Sequence, residues 1–205
     1  MNLVIIKYNA GNIRSVLFAL ERIGMNALVT DDPEQILRAD KVIFPGVGEA
    51  SSAMQYLRER QLDTLIAGLK QPVLGICLGL QLMCRFSEEN DTNCLGIFDE
   101  VVKKFEPPVK NWKLNSSEPR IKVPQIGWNS IYGLESELFK GLPENSFCYF
   151  VHGYFASLGA HTIARADYIQ PYSAGLHRDN FFGVQFHPEK SSLIGEKIIK
   201  NFIAL

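Results

Sequence analysis

The first half of the chain alternates short apolar runs with segments whose apolar residues recur every three or four positions. A short apolar run predicts a buried strand, and the recurrence predicts an amphipathic helix. Strands are predicted over 3–8, 27–30, 41–45 and 72–76, and helices over 16–23, 50–60, 62–70 and 80–86. A further short helix is predicted to begin at Pro33, with Asp32 as its cap. Such alternation implies right-handed crossovers and a parallel sheet covered on both faces.

The second half is richer in strand-like runs and turn residues, which favours antiparallel strands. A final helix is predicted from an apolar stripe made of Ile194, Ile198, Ile199 and Phe202. Residues 106–120 contain three prolines and many polar side chains, which predicts a surface excursion. We expect one α/β domain over 1–205, with a mainly parallel central sheet flanked by helices and a smaller antiparallel portion in the second half.

Composition and charge narrow the classes of function. The 205 residues are 46% hydrophobic and carry 21 basic against 22 acidic side chains, for a net charge of −1. A near-neutral chain argues against nucleic acid or an anionic membrane as partner, and no apolar run approaches the roughly 20 residues of a membrane span. The first residues show neither a basic leader nor a small-residue cleavage site, so a cytoplasmic protein is expected.

The four cysteines show no zinc-type spacing, and neither a metal nor an organic cofactor is predicted. Three of them, Cys84, Cys94 and Cys148, are interpreted as structural thiols, because reduced cysteines are the default in the cytosol. The fourth, Cys77, lies in an unusual sequence context and is considered separately.

Cys77 stands in "QPVLGICLGLQLMCRF" (71–86), between a predicted strand and a predicted helix. A cysteine among apolar residues is often a small core hydrophobe. Here, however, Gly75 and Gly79 bracket a strand-to-helix corner where the backbone can turn sharply and pack closely. The corner resembles a nucleophile elbow with sulfur in place of oxygen, and a helix N-terminus favours the thiolate. The pattern therefore indicates a nucleophile.

A candidate base lies near the C-terminus, in "FFGVQFHPEKSS" (181–192). The apolar run Gly183 to Phe186 predicts a strand that delivers His187 at its end, and Pro188 favours an extended conformation there. Residues i and i+2 of an extended segment project to one side, so Glu189 is expected to lie beside His187 and to orient the imidazole. A lone histidine is more often structural, and that interpretation is given to His161 and His177.

Two motifs carry a family resemblance. The segments "GICLGLQ" (75–81) and "GVQFHPEKS" (183–191), in this order, resemble those of the class I glutamine amidotransferases, which have a triad and a flavodoxin-like fold. The segments "YNAGNIRSV" (8–16), "FPGVGEA" (44–50), "VPQIGWNS" (123–130) and "YFVHGYF" (149–155) look like the glutaminase subunits of imidazole glycerol phosphate synthases. The resemblance extends over essentially the whole chain.

The resemblance implies a role for each matching residue. Cys77 would attack the side-chain amide of glutamine to form a glutamyl thioester and release ammonia, His187 would relay protons, and Glu189 would orient His187. A covalent intermediate divides a difficult amide cleavage into two easier steps. The residues implied to bind glutamine are Gln81, Glu89, Gly46, Gly153 and Tyr154.

An oxyanion hole is also expected. The N–H of Leu78, directly after the nucleophile, is one candidate donor. The resemblance implies that the second lies in "PGVG" (45–48), where glycines on both sides of Val47 allow its peptide to rotate. One such donor contributes about 2.7–4 kcal/mol, so a misoriented loop would keep the resting enzyme almost inactive.

The implied partner is a (β/α)₈-barrel cyclase in a heterodimer. It would take ammonia from this chain and form imidazole glycerol phosphate and AICAR in histidine biosynthesis. Tyr149 and Lys190 match residues at that subunit interface. The alternative interpretation is that Tyr149 is a packed aromatic residue of a strand and that Lys190 is a solvated surface lysine. Nothing in the resemblance adds a cofactor.

Three features depart from the family pattern: Gln125 stands where histidine is common, Gly153 where serine or threonine is common, and the 106–120 stretch is longer than usual. Since none of them belongs to the triad, they bear on the partner. The main alternative is a paralogous glutaminase that supplies ammonia to a sugar-modifying amidotransferase for surface polysaccharide. An unrelated cysteine hydrolase and a catalytically inactive regulatory subunit remain as further alternatives.

Overall fold

The computed structural model describes residues 1–9, 11–106 and 122–205. The predicted surface excursion over 106–120 therefore lies, except for Glu106, outside the described residues. Within the described part of the chain, no helix has the length and apolar character needed to cross a membrane.

The first half contains strands and helices in alternation, close to where the hydrophobic pattern predicts them. They are β1 (Leu3–Ile6), α1 (Ile13–Arg22), β2 (Leu28–Thr30), α2 (Pro33–Leu37), β3 (Lys41–Gly46), α3 (Ala50–Glu59), α4 (Leu62–Ala67), β4 (Val73–Cys77) and α5 (Leu78–Met83). The predicted cap of α2 is confirmed, because the Asp32 carboxylate accepts hydrogen bonds from the backbone N–H groups of Glu34 and Gln35.

The second half is mainly strands, and a single long helix closes the described chain. The elements are β5 (Phe86–Ser87), β6 (Thr92–Asn93), β7 (Val101–Lys104), β8 (Gln125–Ile131), β9 (Ser146–His152), β10 (Tyr154–Ala156), β11 (Thr162–Asp167), β12 (Pro171–Arg178), β13 (Phe181–Val184) and α6 (Ser192–Ala204). Short 3₁₀ turns occupy Glu89–Asp91, Glu137–Phe139 and Pro188–Lys190.

Eleven strands of the described residues form one mixed sheet. Five of them lie in the order β2-β1-β3-β4-β13 and are parallel, which is the flavodoxin-like order. The sheet continues through β12, β10 and β7, which pair antiparallel, and β8 and β9 form a separate two-stranded sheet. The expected α/β fold, with a mainly parallel centre and an antiparallel portion in the second half, is confirmed.

The two faces of the sheet carry two cores. Along β1, Leu3 and Ile5 pack on the side of α1 and α6, while Val4 and Ile6 pack on the side of α3, α4 and α5. The β8–β9 sheet belongs to the first side, where buried Phe150 joins the core. Because β3, β4 and β13 are parallel neighbours, their carboxyl ends meet at one edge, where ligands bind in such folds.

The structure corrects three local predictions. The helix after Cys77 ends at Met83 rather than Phe86, because Cys84 is extended (ψ 173°) and Phe86 begins β5. One strand-like run of the second half, which the sequence pattern indicates as a single segment over 147–157, is two strands, β9 and β10, which are interrupted at Gly153. The strand before His187 ends at Val184 rather than at Phe186.

Candidate active site

Cys77 occupies a strained corner between β4 and α5. It is the last residue of β4 and has φ 53° and ψ −106°, a conformation that non-glycine residues rarely adopt. A Cβ on Gly79 would overlap the carbonyl oxygen of Phe44, and one on Gly75 would lie 2.9 Å from the backbone carbon of Gly79. The glycines therefore allow close packing of helix on strand, as expected, but the sharp turn is made by the cysteine itself. Backbone strain of this kind is concentrated at functional sites.

His187 and Glu189 form a buried pair beside this corner. Nδ1 of His187 lies 2.8 Å from Oε1 of Glu189, and both residues are at least nine-tenths buried. The prediction of an extended segment through Glu189 is wrong, because Pro188–Lys190 is a 3₁₀ turn, and this turn brings the carboxylate to the imidazole. The hydrogen bond at Nδ1 leaves Nε2 as the nitrogen available for proton transfer.

The two partners of His187 change its proton affinity. Burial lowers the pKa of His187, but hydrogen bonds with Cys77 and Glu189, and the negative charges of both, outweigh burial and raise the pKa to about 10. The effect of Cys77 on the pKa of His187 means that the sulfur and the imidazole lie close together, although 110 positions separate them in the chain. An imidazolium next to a thiolate is the arrangement of an activated cysteine nucleophile.

A cavity of about 360 Å³ opens onto Cys77 at the carboxyl edge of the sheet. Its volume is at the small end of the range for ligand pockets. Its walls include seven of the residues selected from the sequence: Cys77, Leu78, Gln81, Glu89, Val47, Gly153 and Tyr154. The pocket is therefore suited to a small substrate whose reactive atom approaches the sulfur of Cys77.

The match of the chain to a known protein family decides its identity. The family model described as "Glutamine amidotransferase class-I" matches residues 4–205. The chain belongs to the class I glutamine amidotransferases.

Individual relatives agree with this assignment. A Bacteroides fragilis protein named imidazole glycerol phosphate synthase subunit HisH is 56% identical over all of both chains, and an Escherichia coli K12 protein of the same name is 42% identical over all of both chains. Among solved structures, a putative GMP synthase subunit from Thermoplasma acidophilum aligns with a TM-score of 0.73 at 19% identity, covering 100% of this chain and 93% of that chain. At 19% identity, the similarity to the Thermoplasma acidophilum structure supports the fold alone.

In this amidotransferase, Gln81 and Glu89 contact the backbone as well as the cavity. Nε2 of Gln81 donates to the carbonyl oxygen of Tyr154 at 2.9 Å, and Oε2 of Glu89 accepts from the N–H of Ala50 at 2.8 Å. Burial raises the pKa of Glu89, which is half-buried. Gln81 therefore keeps its carbonyl oxygen for the pocket, and Glu89 gives the rim acidic character.

The loop after β3 lies across from Cys77. Gly46 pairs in register with Cys77, while Val47 and Gly48 follow in the cavity wall. A Cβ at Gly46 would overlap the hydroxyl of Tyr8, so only glycine fits there. Gly48 has φ 124°, which favours glycine as well. Gly46 thus lies beside Cys77 rather than in the cavity wall, and its role in binding stays a prediction.

Tyr149 and Lys190 lie outside the cavity. The carbonyl oxygen of Tyr149 accepts from the N–H of His187 at 2.9 Å, so β9 passes directly over the segment that carries His187 and Glu189. Lys190 is exposed at the end of the 3₁₀ turn that carries Glu189. Both residues therefore adjoin the site on its outer side, which is compatible with the predicted interface role without testing it.

The site contains two residues that the sequence did not single out. Asn12 donates to Oε1 of Glu189 at 2.8 Å, and Gln185 donates to Sγ of Cys77 at 3.7 Å. Both lie within motifs that carry the family resemblance, but nothing in their local spacing indicates which distant side chain they contact. His152, which is also in the cavity wall, has its pKa lowered to about 4 by burial.

The remaining cysteines and histidines lie apart from this site. Burial raises the pKa of Cys94 and of Cys148 to about 12, which suits inert thiols. His161 pairs with buried Glu100 at 3.0 Å, and His177 stacks on Phe182. Throughout the described ranges, no cluster of three or more histidine, cysteine or acidic side chains is arranged to hold a metal ion.

Proposed function

We propose that this amidotransferase is the glutaminase subunit of an imidazole glycerol phosphate synthase. It hydrolyses glutamine to glutamate and ammonia and passes the ammonia to a (β/α)₈-barrel cyclase partner. The observation that carries the proposal is the buried imidazole of His187, which is hydrogen-bonded to Glu189 and has its pKa raised by Cys77, a residue of the cavity wall. This is the constellation of nucleophile, base and orienting carboxylate that acyl transfer requires.

The reaction follows from these three side chains. The thiolate of Cys77 attacks the amide carbon of glutamine, and the proton of the His187 imidazolium goes to the departing nitrogen, which leaves as ammonia. Neutral His187 then takes a proton from water, which attacks the thioester carbon. Cleavage of the carbon–sulfur bond releases glutamate and restores the thiolate. Glu189 keeps Nε2 of His187 directed at the sulfur in both steps.

The negative oxygen of the tetrahedral intermediates needs hydrogen-bond donors. Leu78 is the first residue of α5, and the first N–H groups of a helix have no acceptor within the helix. The Val47 peptide is the second candidate, because it lies in the cavity wall after the strand that pairs with β4. Rotation of this peptide toward Cys77 would give the partner a means to activate glutamine hydrolysis.

Binding of glutamine uses the polar rim of the cavity. The α-ammonium group of the substrate is a donor with a positive charge, which complements Glu89 and the carbonyl oxygen of Gln81. The backbone around Gly153 and Tyr154 forms the opposite wall. The oxyanion donors and this rim together would hold the amide carbon against Sγ of Cys77.

The partner surface proposed here is the outer face of the β8–β9 sheet. Ile126, Trp128 and Phe147 are 64%, 53% and 59% exposed, a concentration of apolar area typical of interaction sites. The ring of Tyr149 packs edge-on against Trp128 at 5.9 Å. Because Val151 of the same sheet forms part of the cavity wall, a protein docked here would lie next to the point where ammonia is released.

Histidine biosynthesis is favoured over a sugar acceptor because full-length relatives named for imidazole glycerol phosphate synthase are 42–56% identical to this chain. Gln125, which stands where histidine is common in the family, also lies away from the proposed catalytic residues. Its side chain is buried and accepts from the Tyr172 hydroxyl at 3.0 Å, beneath the β8–β9 sheet. A neutral amide can make that hydrogen bond as well as an imidazole can.

The experiment combines the chain with a barrel cyclase and measures glutamate release with and without the nucleotide substrate of the cyclase. Stimulation by the nucleotide is expected. Cys77→Ala should abolish glutamine-dependent product formation by the complex, while product formation from added ammonium salts continues. Cys94→Ala is the matched control, because this half-buried thiol lies outside the cavity, and it should leave both activities unchanged.

Two results would contradict the proposal. Equal loss of glutamine-dependent and ammonia-dependent turnover in Cys77→Ala would mean that this residue supports the complex rather than the chemistry. Absence of any glutamate release with every form of the complex would remove the glutaminase assignment.

A further inference from the structure

The side chain of Gln185 lies fully buried between Cys77 and Gln81. It follows β13 and has no measurable exposure. Its Nε2 lies 3.7 Å from Sγ of Cys77, a distance suitable for an N–H···S hydrogen bond, and its Oε1 accepts from Nε2 of Gln81 at 3.0 Å. The amide therefore connects the reacting sulfur with a residue of the cavity wall.

The orientation of these two amides is fixed by one backbone group. The carbonyl oxygen of Tyr154 can only accept, so the nitrogen of Gln81 must face it, as it does at 2.9 Å. The second hydrogen of that nitrogen points to Gln185, which must then present its oxygen. A rotated Gln185 would set two NH₂ groups against each other. The NH₂ group of Gln185 consequently faces Cys77.

A donor in this position suits a sulfur anion better than a thiol. Within the described ranges, the acceptor found for Nε2 of Gln185 is Sγ of Cys77. Neutral sulfur is a weak acceptor, and a buried amide donor without a good acceptor is costly. A hydrogen bond to a charged acceptor is about twice as strong as one between neutral groups. Ionisation of Cys77 would therefore satisfy the Gln185 amide.

Of the other groups around the sulfur of Cys77, some favour the neutral thiol and others favour the thiolate. The carbonyl oxygen of Val151, 3.7 Å away, can accept from the neutral thiol but repels the anion. The titratable side chains that interact with the sulfur are His187, which favours the anion when protonated, and Tyr8, whose pKa is raised by burial and further by Cys77. Gln185 adds a donor that is independent of the protonation of either group.

We propose that Gln185 is a further catalytic residue, which donates a hydrogen bond to the thiolate of Cys77 and holds it in line with the pocket through Gln81. The inference rests on the proposed function in that Cys77 is the nucleophile. On this proposal, the neutral amide of Gln185 supplies part of the stabilisation of the Cys77 thiolate, and the triad does not supply all of it.

The test is the pH dependence of alkylation of Cys77 by iodoacetamide in the full-length chain, followed on the Cys77 peptide by mass spectrometry. Gln185→Met has a similar shape and no donor. It should move the midpoint of alkylation upward by about one pH unit or more and slow alkylation at pH 7 by about 10- to 100-fold. In the complex, kcat for glutamine should fall by a similar factor.

Gln71→Met is the matched control. The Gln71 amide donates to the carbonyl oxygen of Ile36 at 2.9 Å, at the opposite end of β4 from Cys77. This control should leave the alkylation midpoint unchanged. If the Met variant does not fold, as judged by circular dichroism, Gln185→Glu replaces it, since a carboxyl group still accepts from Gln81 but adds an acid next to the sulfur. The same upward shift is expected.

A folded Gln185 variant with the wild-type midpoint would overturn the inference. That result is distinguishable from failure of the proposed function, which depends on Cys77→Ala and the glutamine assay. If Cys77 is required for glutamine turnover and the midpoint is nevertheless independent of Gln185, the glutaminase assignment stands and only the role of Gln185 is rejected.

Discussion

Asn12 donates a hydrogen bond from Nδ2 to Oε1 of Glu189 at 2.8 Å, the same carboxylate oxygen that accepts from His187. Asn12 stands at the cap position of α1, yet its side chain makes no capping hydrogen bond. An asparagine there ordinarily accepts from the first turn of the helix. Its side chain instead anchors the carboxylate, so Glu189 is held in place by the residue that precedes α1.

Replacement of Asn12 should weaken catalysis without removing it. In Asn12→Ala, Glu189 loses one of the two donors that the described residues offer to its side chain and holds His187 less firmly, so kcat should fall roughly tenfold while KM changes little. Asn12→Asp should be worse, because a second negative charge would face Glu189. Steady-state glutaminase kinetics of the complex measure both. Asn201→Ala, which removes an amide that contacts Leu138 and Lys140, is the control; equal losses in the two alanine variants would argue for a general structural effect.

Gly79→Ala should destabilise the corner that carries the nucleophile. The added methyl group would overlap the carbonyl oxygen of Phe44, so α5 would have to move away from β3. We expect a loss of about 3 kcal/mol or more in the free energy of unfolding, measured with urea, together with loss of glutaminase activity. In Gly68→Ala the new Cβ would lie 3.4 Å from the nearest atom, and the change should stay within about 1 kcal/mol. Similar stability of the two variants would contradict the packing argument.

The fold and the grouping of Cys77, His187 and Glu189 could be predicted because their signals are local. Periodicity within short windows predicts the order of strands and helices in the first half, and a parallel sheet brings the ends of β4 and β13 together. Cys77 ends β4, and His187 follows shortly after the end of β13. The pairing of a distant cysteine and histidine therefore needed only the motifs and the general geometry of parallel sheets.

The other features of the site could not be predicted, because they depend on long-range contacts that local sequence patterns do not encode. The contact of Asn12 with Glu189 spans 177 positions, and that of Gln185 with Cys77 spans 108. The sequence also suggested that glycines would make the turn at the nucleophile, whereas tertiary packing forces Cys77 into the strained conformation. His187, which precedes proline, is extended as predicted, but the residues after it form a 3₁₀ turn that packs against α6, α1 and β9.

His152 should make the stability of the protein sensitive to acid. Burial, with a smaller contribution from the nearby charge of His187, lowers its pKa from the usual 6.5 to about 4, although a hydrogen bond with the carbonyl oxygen of Tyr154 acts in the opposite direction. Since the unfolded chain binds the proton more tightly, the contribution is complete above pH 6.5 and is lost as the pH falls toward 4. About 3 kcal/mol is involved. Urea unfolding at pH 7.5 and 4.5 should show a smaller difference for His152→Phe than for the wild type; an equal difference would mean that other groups cause the acid loss.

Trp128 should contribute much of the binding energy at the proposed partner surface. Its side chain is 53% exposed in the free chain, and tryptophans at the centre of an interface are frequent hot spots. Trp128→Ala should therefore weaken binding of the cyclase by about 10- to 100-fold in titration calorimetry, with little change in the melting temperature of the free chain. Leu37→Ala, a change at a residue of α2 that is 59% exposed and lies outside this sheet, should leave the affinity unchanged. If both variants bind the cyclase as tightly as the wild type, the outer face of β8 and β9 is not the docking surface, and the apolar area there must serve another contact.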